Sequence, residues 1–248
     1  MHTKSTQNRS RSKIVSKSKK KSENQKMFNS IAKHYDFLNH FLSLGMDFYW
    51  RRKAAKQLSN NPKNILDVAT GTADFAVELS KLKDVTIIGV DTSEKMLKIG
   101  KKKIEQKKLN GIISLEKGDA EELRFQNNYF DAISVGFGVR NFENLEKGLS
   151  EIFRILKKKG EIIILEPCEP DNFILKNIYK IYFHHILPFV GKMISKNKYA
   201  YTYLPESVKN FPSQQEFIKK LETVGFRNCK HIPLTFGIVS LYTAIKES

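Results

Sequence analysis

Between residues 64 and 168 the apolar positions fall in short, β-branched runs, and the stretches between those runs have helical periodicity. The runs lie at 65–69, 85–91, 112–119, 130–138 and 161–167, and the helical patterns at 73–83, 93–108 and 144–157. Strands spaced by helices predict a parallel sheet with crossovers on both faces. One more helix is expected at 213–224, ended by Gly225. Two strands near 226–234 and 238–246 then close the sheet as an antiparallel hairpin. The expected fold class is α/β, a mostly parallel seven-stranded sheet with a terminal antiparallel hairpin and helical cover. Residues 27–59 read as helices ahead of the first strand. Residues 170–211, rich in aromatics and lysines, read as an insertion covering the carboxyl ends of the strands.

Composition narrows the class. The chain has 248 residues, 40% hydrophobic, enough for one substantial core. No uncharged apolar run reaches the roughly 18 residues of a membrane span, and no apolar segment of signal-peptide type follows the charged start. Only Cys168 and Cys229 occur, which argues against a disulfide framework and fits a reducing, cytoplasmic setting. The formal charge is +17, and residues 1–26 hold nine Lys or Arg against one acid, Glu23. With so few apolar residues this stretch is expected to be a disordered basic tail. It reads as a solvated leader, as a segment drawn to anionic lipid headgroups, or as a nucleic-acid contact.

The stretch NILDVATGTADFAVELS, Asn64 to Ser80, has the form of a nucleotide-binding turn with most of its glycines missing. A dinucleotide site needs glycines that let the backbone approach a pyrophosphate at a helix N-terminus. Here Ala69 and Ala73 stand at two such positions, and Asp74, just inside the helix, would repel phosphate. An adenosyl ligand that carries a cationic sulfonium and no phosphate suits the loop better, which points to S-adenosylmethionine. Asp91, ending the second strand, is placed to accept both ribose hydroxyls. Asp119, after the third, is placed for the adenine amino group, with Ala120 beside the ring. Gly71 supplies the tight turn, and Asp67 and Thr72 are assigned to the methionine end.

These residues resemble class I S-adenosylmethionine methyltransferases, whose fold is Rossmann-like. More narrowly, the chain resembles the UbiE/MenG family, which C-methylates ubiquinone and menaquinone precursors. The resemblance rests on YDFLNHFLSLGMDFYW (Tyr35–Trp50), FGVRNF (Phe137–Phe142) and RILKKKGEIIILEPC (Arg154–Cys168), and covers residues 27–247. The departures are Ala73 for a usual Gly, Leu38 for Met, Asp47 for His, KKKGE for a Lys-Pro-Gly-Gly turn, and Cys168 for Ser. Gly160 is expected to supply the positive φ of that altered turn.

The resemblance implies transfer of a methyl group to a ring carbon of a prenylated demethyl-quinol. Demethylmenaquinol is the first expectation, with the benzoquinol step of ubiquinone synthesis as the alternative; Gly136, counted with the cofactor residues, leans toward the former. A ring carbon is a poor nucleophile until the neighbouring hydroxyl loses its proton, and a phenol has a pKa near 10. The site must therefore supply a base or stabilise a phenolate. Arg140 is the expected phenolate stabiliser, Asn141 orients the quinol oxygen, and Tyr35 closes the site; His34 and His40 are reserve bases. No metal site is expected, since the adjacent His184 and His185 would face different directions on a helix. An RNA methyltransferase is disfavoured: GFGVRNF stands after the fourth strand where amino-methylating enzymes of this fold resemble one another in Asn-Pro-Pro-aromatic. No nucleic-acid partner is expected, but peripheral contact with an anionic membrane at its inner face is, and a homodimer is left open.

Overall fold

The computed structural model describes residues 3–170, 176 and 198–247. Its order is α1 (Thr3–Leu42), α2 (Met46–Ala55), β1 (Asn64–Val68), α3 (Asp74–Leu79), β2 (Thr86–Asp91), α4 (Glu94–Gln106), β3 (Ile113–Lys117) and β4 (Phe130–Gly136). There follow α5 (Leu145–Ile155), β5 (Leu156–Pro167), α6 (Lys198–Lys209), α7 (Gln214–Val224), β6 (Arg227–Leu234) and β7 (Val239–Ile245). The sheet order is β3-β2-β1-β4-β5-β7-β6. The first five strands run parallel, and β7 pairs antiparallel with both β5 and β6. The expected fold class is what forms.

Alternation along the strands explains the two-sided burial. Ile65, Ile163 and Leu165 enter one core with Trp50, Phe75 and Leu97. Leu66, Ile162 and Ile164 enter the other with Leu149, Ile152 and Phe217. A side-chain period of two, apolar at every step, leaves neither face to water. The helices are cut to length by local chemistry. Ser93 caps α4 by accepting from the Met96 N–H, Asn144 caps α5 by accepting from the Lys147 N–H, and Ser213 with Glu216 forms a capping box on α7.

Three local expectations need correction. Residues 3–26, read as a disordered tail, belong to α1. The end of that stretch is held by tertiary contacts that composition does not reveal: Asn24 is buried, and the Gln25 side chain donates to the Thr92 carbonyl at 2.6 Å. The positive φ of the KKKGE turn falls on Lys159 (φ 62°), not on Gly160. Gly160 is instead a close-approach position, where a Cβ would stand 2.8 Å from the Leu156 side chain and the Lys157 carbonyl oxygen. Finally, β5 begins at Leu156, within the stretch read as helix to 157. Tyr182, Phe183, His184 and His185, with most of the 170–211 insertion, lie outside the described residues.

Candidate functional site

A cleft with about 800 Å³ of space, part of it open solvent, lies beyond the carboxyl ends of β1–β4, where the strand order reverses between β1 and β4. Open α/β sheets bind their ligands at such a switch point. Its floor comes from the loops Ala69–Gly71, Val90–Thr92, Gly118–Glu121 and Gly136–Gly138, and α1 contributes Asn24, Gln25, Phe28 and Tyr35.

The turn after β1 is tight because Ala69 (φ 55°), Gly71 (φ 56°) and Ala73 (φ 69°) are all left-handed. Only Gly71 adopts that conformation without a Cβ penalty. At Gly138 a Cβ would lie 2.5 Å from the Ala69 Cβ, so the loops after β1 and β4 approach this closely only with glycine there. Asp91 accepts from the Gly71 N–H at 2.9 Å and the Ser93 N–H at 2.8 Å, which ties β2 to the turn after β1. Burial raises its carboxyl pKa, and these N–H groups pull it back. Ser93 is the helix cap, so Asp91 is spared that task. Asp119 accepts from the Glu121 N–H at 3.0 Å and lines the cleft with Ala120.

Two residues assigned to the cofactor are engaged within the fold at this turn. Asp67 is fully buried beneath the turn, accepting from Thr70 Oγ1 and Ser134 Oγ, each at 2.6 Å. Burial pushes its pKa up to about 6 against those two hydrogen bonds. It braces β1 against β4. Thr72 is buried and donates to Asp36 of α1. Neither lines the cleft. Lys103 ties Asp36 to Asp74, and Arg51 stands between Asp47 and Asp74. His40, Asp47 and Asp74 converge closely enough to suggest a metal site. Arg51 and Lys103 already answer these carboxylates, so the cluster reads as a latch fastening α1 and α2 to the cofactor turn. It also explains Asp47, a departure from the family pattern, as a partner for Arg51 and for His40 at 2.7 Å.

The substrate candidates are brought to one wall. Tyr35 and Asn141 line the cleft. Burial raises the Tyr35 phenol pKa, with the Asn39 side chain opposing. Arg140 stands behind them, its side chain 8% exposed and paired at 2.8 Å with Glu166, itself 1% exposed. It also donates to the Phe137 carbonyl, so it pins the turn after β4 to β5. Burial works against the guanidinium charge, but Glu166 outweighs it and holds Arg140 protonated. Burial likewise raises the Glu166 carboxyl, and Arg140 draws it back toward ionisation. The Arg140 Nε–H is buried with no partner among the described residues. His34 is exposed, and His40 is engaged in the latch.

Sequence reasoning missed Glu166 and a three-residue chain. Asn24 Nδ2 donates to the Tyr203 hydroxyl at 3.0 Å, and that hydroxyl donates to Asn141 Oδ1 at 2.7 Å. The chain links α1, α6 and the turn after β4. A buried acid at the end of an otherwise apolar strand, EIIILEP, was the available signal for Glu166. Asn24 and Tyr203 had none, because each meets its partners across more than 60 residues.

A family model described as the ubiE/COQ5 methyltransferase family matches residues 14–246. The chain belongs to that family. It is 46% identical over 230 residues to the demethylmenaquinone methyltransferase of Bacteroides fragilis, covering 92% of this chain and 94% of that one. It is 43% identical over 240 residues to the protein of that name from Chlorobaculum tepidum, covering 94% and 96%. With a ubiquinone/menaquinone biosynthesis C-methyltransferase of Geotalea daltonii the figures are 42% over 225 residues, 90% and 95%. In fold it is similar to a SAM-dependent methyltransferase of Aquifex aeolicus (TM-score 0.60, 18% identity, 81% of this chain and 92% of that one). It is also similar to phosphoethanolamine N-methyltransferase 2 of Haemonchus contortus (TM-score 0.64, 13%, 86% and 56%).

This ubiE/COQ5-type chain is an S-adenosylmethionine-dependent methyltransferase, and its cleft fits that cofactor. Asp91, Asp119, Glu121 and Glu143 line it, and among the described residues no Lys, Arg or His does. In a chain of charge +17, a cleft lined by acids suits a cationic sulfonium and disfavours a pyrophosphate.

Proposed function

We propose that the chain methylates a ring carbon of a prenylated demethyl-quinol, with demethylmenaquinol as its substrate. The observation that carries the reading is 46% identity to a demethylmenaquinone methyltransferase along nearly the whole of both chains. S-adenosylmethionine, when bound, supplies a methyl group on a positively charged sulfur. Asp91 holds the ribose hydroxyls, Asp119 the adenine amino group, and Gly71 lets the backbone pass close to the cofactor. Tyr35 and Asn141 orient the quinol oxygen beside the methyl group. Arg140 remains protonated, so it serves as a stabiliser of phenolate charge and not as the base. The methyl group would pass to the ring carbon beside that oxygen, whose negative charge Arg140 balances, and the ring proton would then be lost to water. Most of the acceleration comes from orientation and from excluding water beneath α1.

In this reading the chain works at the inner face of the membrane, because its substrate resides there. The test offers demethylated naphthoquinol and benzoquinol, each with labelled cofactor, and counts label in extracted lipid. Label in the naphthoquinol is expected. Label in the benzoquinol alone would move the enzyme to the ubiquinone pathway, and label in neither would overturn the reading.

A further inference from the structure

The end of α1 and the outer face of α2 carry an apolar patch that the fold leaves open. Phe37 is 58% exposed, Phe41 52% and Leu44 87%, and Phe48 and Tyr49 are exposed beside them. Phe37 and Phe41, one helical turn apart, stack at 5.8 Å. Leu44 closes α1 in the left-handed region (φ 51°), a strained conformation for leucine that leaves its side chain in solvent. A patch of this kind marks an interaction surface.

Charge selects the partner. From residue 24 to residue 60 the only acids are Asp36 and Asp47, and both turn inward to Lys103 and Arg51. Lys33, Arg52, Lys53 and Lys56 stay exposed around the aromatics, with Arg52 3.6 Å from Glu78 and the Lys53 ammonium 5.8 Å from the Tyr49 ring centre. Exposed aromatics beside Lys33, Lys53 and Lys56, which have no acid partner among the described residues, match a bilayer with anionic headgroups, the rings entering the acyl boundary and the lysines meeting phosphate. Tyr35, on the same helix two residues before Phe37, lines the cleft. Docking this tip would set the quinol wall against the lipid that holds the substrate.

We infer that the α1–α2 tip, through Phe37, Phe41 and Leu44 with Lys53 and Lys56, is the surface that seats the enzyme on an anionic membrane. The inference rests on the quinol reading for its purpose, but its test is independent. Co-sedimentation is measured with vesicles of phosphatidylglycerol and phosphatidylcholine in equal parts, and with phosphatidylcholine alone. Phe41→Ser and Leu44→Ser are each expected to weaken binding to the mixed vesicles about tenfold. The double variant Lys53→Glu, Lys56→Glu should lose binding to anionic vesicles only, a loss that shrinks as salt rises. Wild-type partitioning by both serine variants would overturn the inference. So would a homodimer, seen by sedimentation velocity, that Leu44→Ser dissociates without altering vesicle binding. Turnover of a quinol with a short, water-soluble side chain is measured in parallel and should be unchanged in all these variants. If the serine variants lose that turnover, unchanged anionic binding by the glutamate variant overturns the inference instead. Failure of the wild type to methylate any quinol counts against the proposed function, while the vesicle result still decides the surface.

Discussion

In the proposed reading, the cofactor wall and the substrate wall of the cleft are built differently. On the cofactor side each loop brings its own group: Gly71 after β1, Asp91 at the end of β2, Asp119 after β3. These groups are held by backbone N–H donors from within two residues or from the neighbouring turn. On the substrate side nothing is local. Arg140 depends on Glu166, 26 residues on, and Asn141 is oriented by Tyr203, which accepts from Asn24. Ring chemistry needs polar groups set around a buried, apolar substrate, and a buried polar group holds its place only if its partners come from several elements at once. Asp91 and Asp119 take these hydrogen bonds from the loops around them, whereas the substrate wall draws its partners from α1, α6 and β5.

The sharpest way to break the substrate wall is Arg140→Ala, which strands Glu166 in the core. A loss of about 3–5 kcal/mol in stability is expected from urea denaturation. Adding Glu166→Gln should recover most of that stability but not turnover, which separates the bracing role of the pair from its role toward the quinol. On the cofactor wall, Asp91→Ala should weaken S-adenosylmethionine binding about 100-fold or more by calorimetry, with the quinol KM little changed. If both ligands weaken equally, the two walls are not separable.

The brace beneath the cofactor turn has a pH signature. Asp67 titrates near 6 in the folded chain, against about 4 when unfolded. Its contribution to stability is therefore present below about pH 4 and lost as pH rises through about 6. Compared with Asp67→Asn, the wild type should lose on the order of 2–3 kcal/mol between pH 4 and 7, read from urea midpoints. A difference that stays flat with pH would show the carboxyl to be unperturbed. The smallest effect belongs to Tyr203→Phe, which removes one hydroxyl and costs about 1–2 kcal/mol. The quinol KM should rise roughly tenfold while cofactor affinity holds, and a matching fall in both would return Tyr203 to a packing role.

How much could be read in advance follows the same division. The alternation of strands and helices, the two-sided burial of Ile162–Leu165, and the positions of Asp91 and Asp119 were legible because each depends on residues close in sequence. How Asp67 and Thr72 are held was not legible for the opposite reason. Asp67 lies in β1 and Thr72 in the turn after it, and Ser134 and Asp36, which fix how they are held, come from β4 and α1. Residues 3–26 were misread because composition alone offers no reason for order, whereas Asn24 and Gln25 at the end of that stretch gain theirs from Tyr203 and Thr92.

By itself, then, the chain's sequence determined the sheet, the cofactor class and the family, since periodicity and loop chemistry act over a few residues. The tertiary structure alone decided that Arg140 is a paired, buried cation, that Asn141 is held by Tyr203 and Asn24, and that α1 roofs the cleft. The physical reason is desolvation: a polar group in the core is tolerated only where the fold supplies its partner, and those partners lie tens of residues away or more.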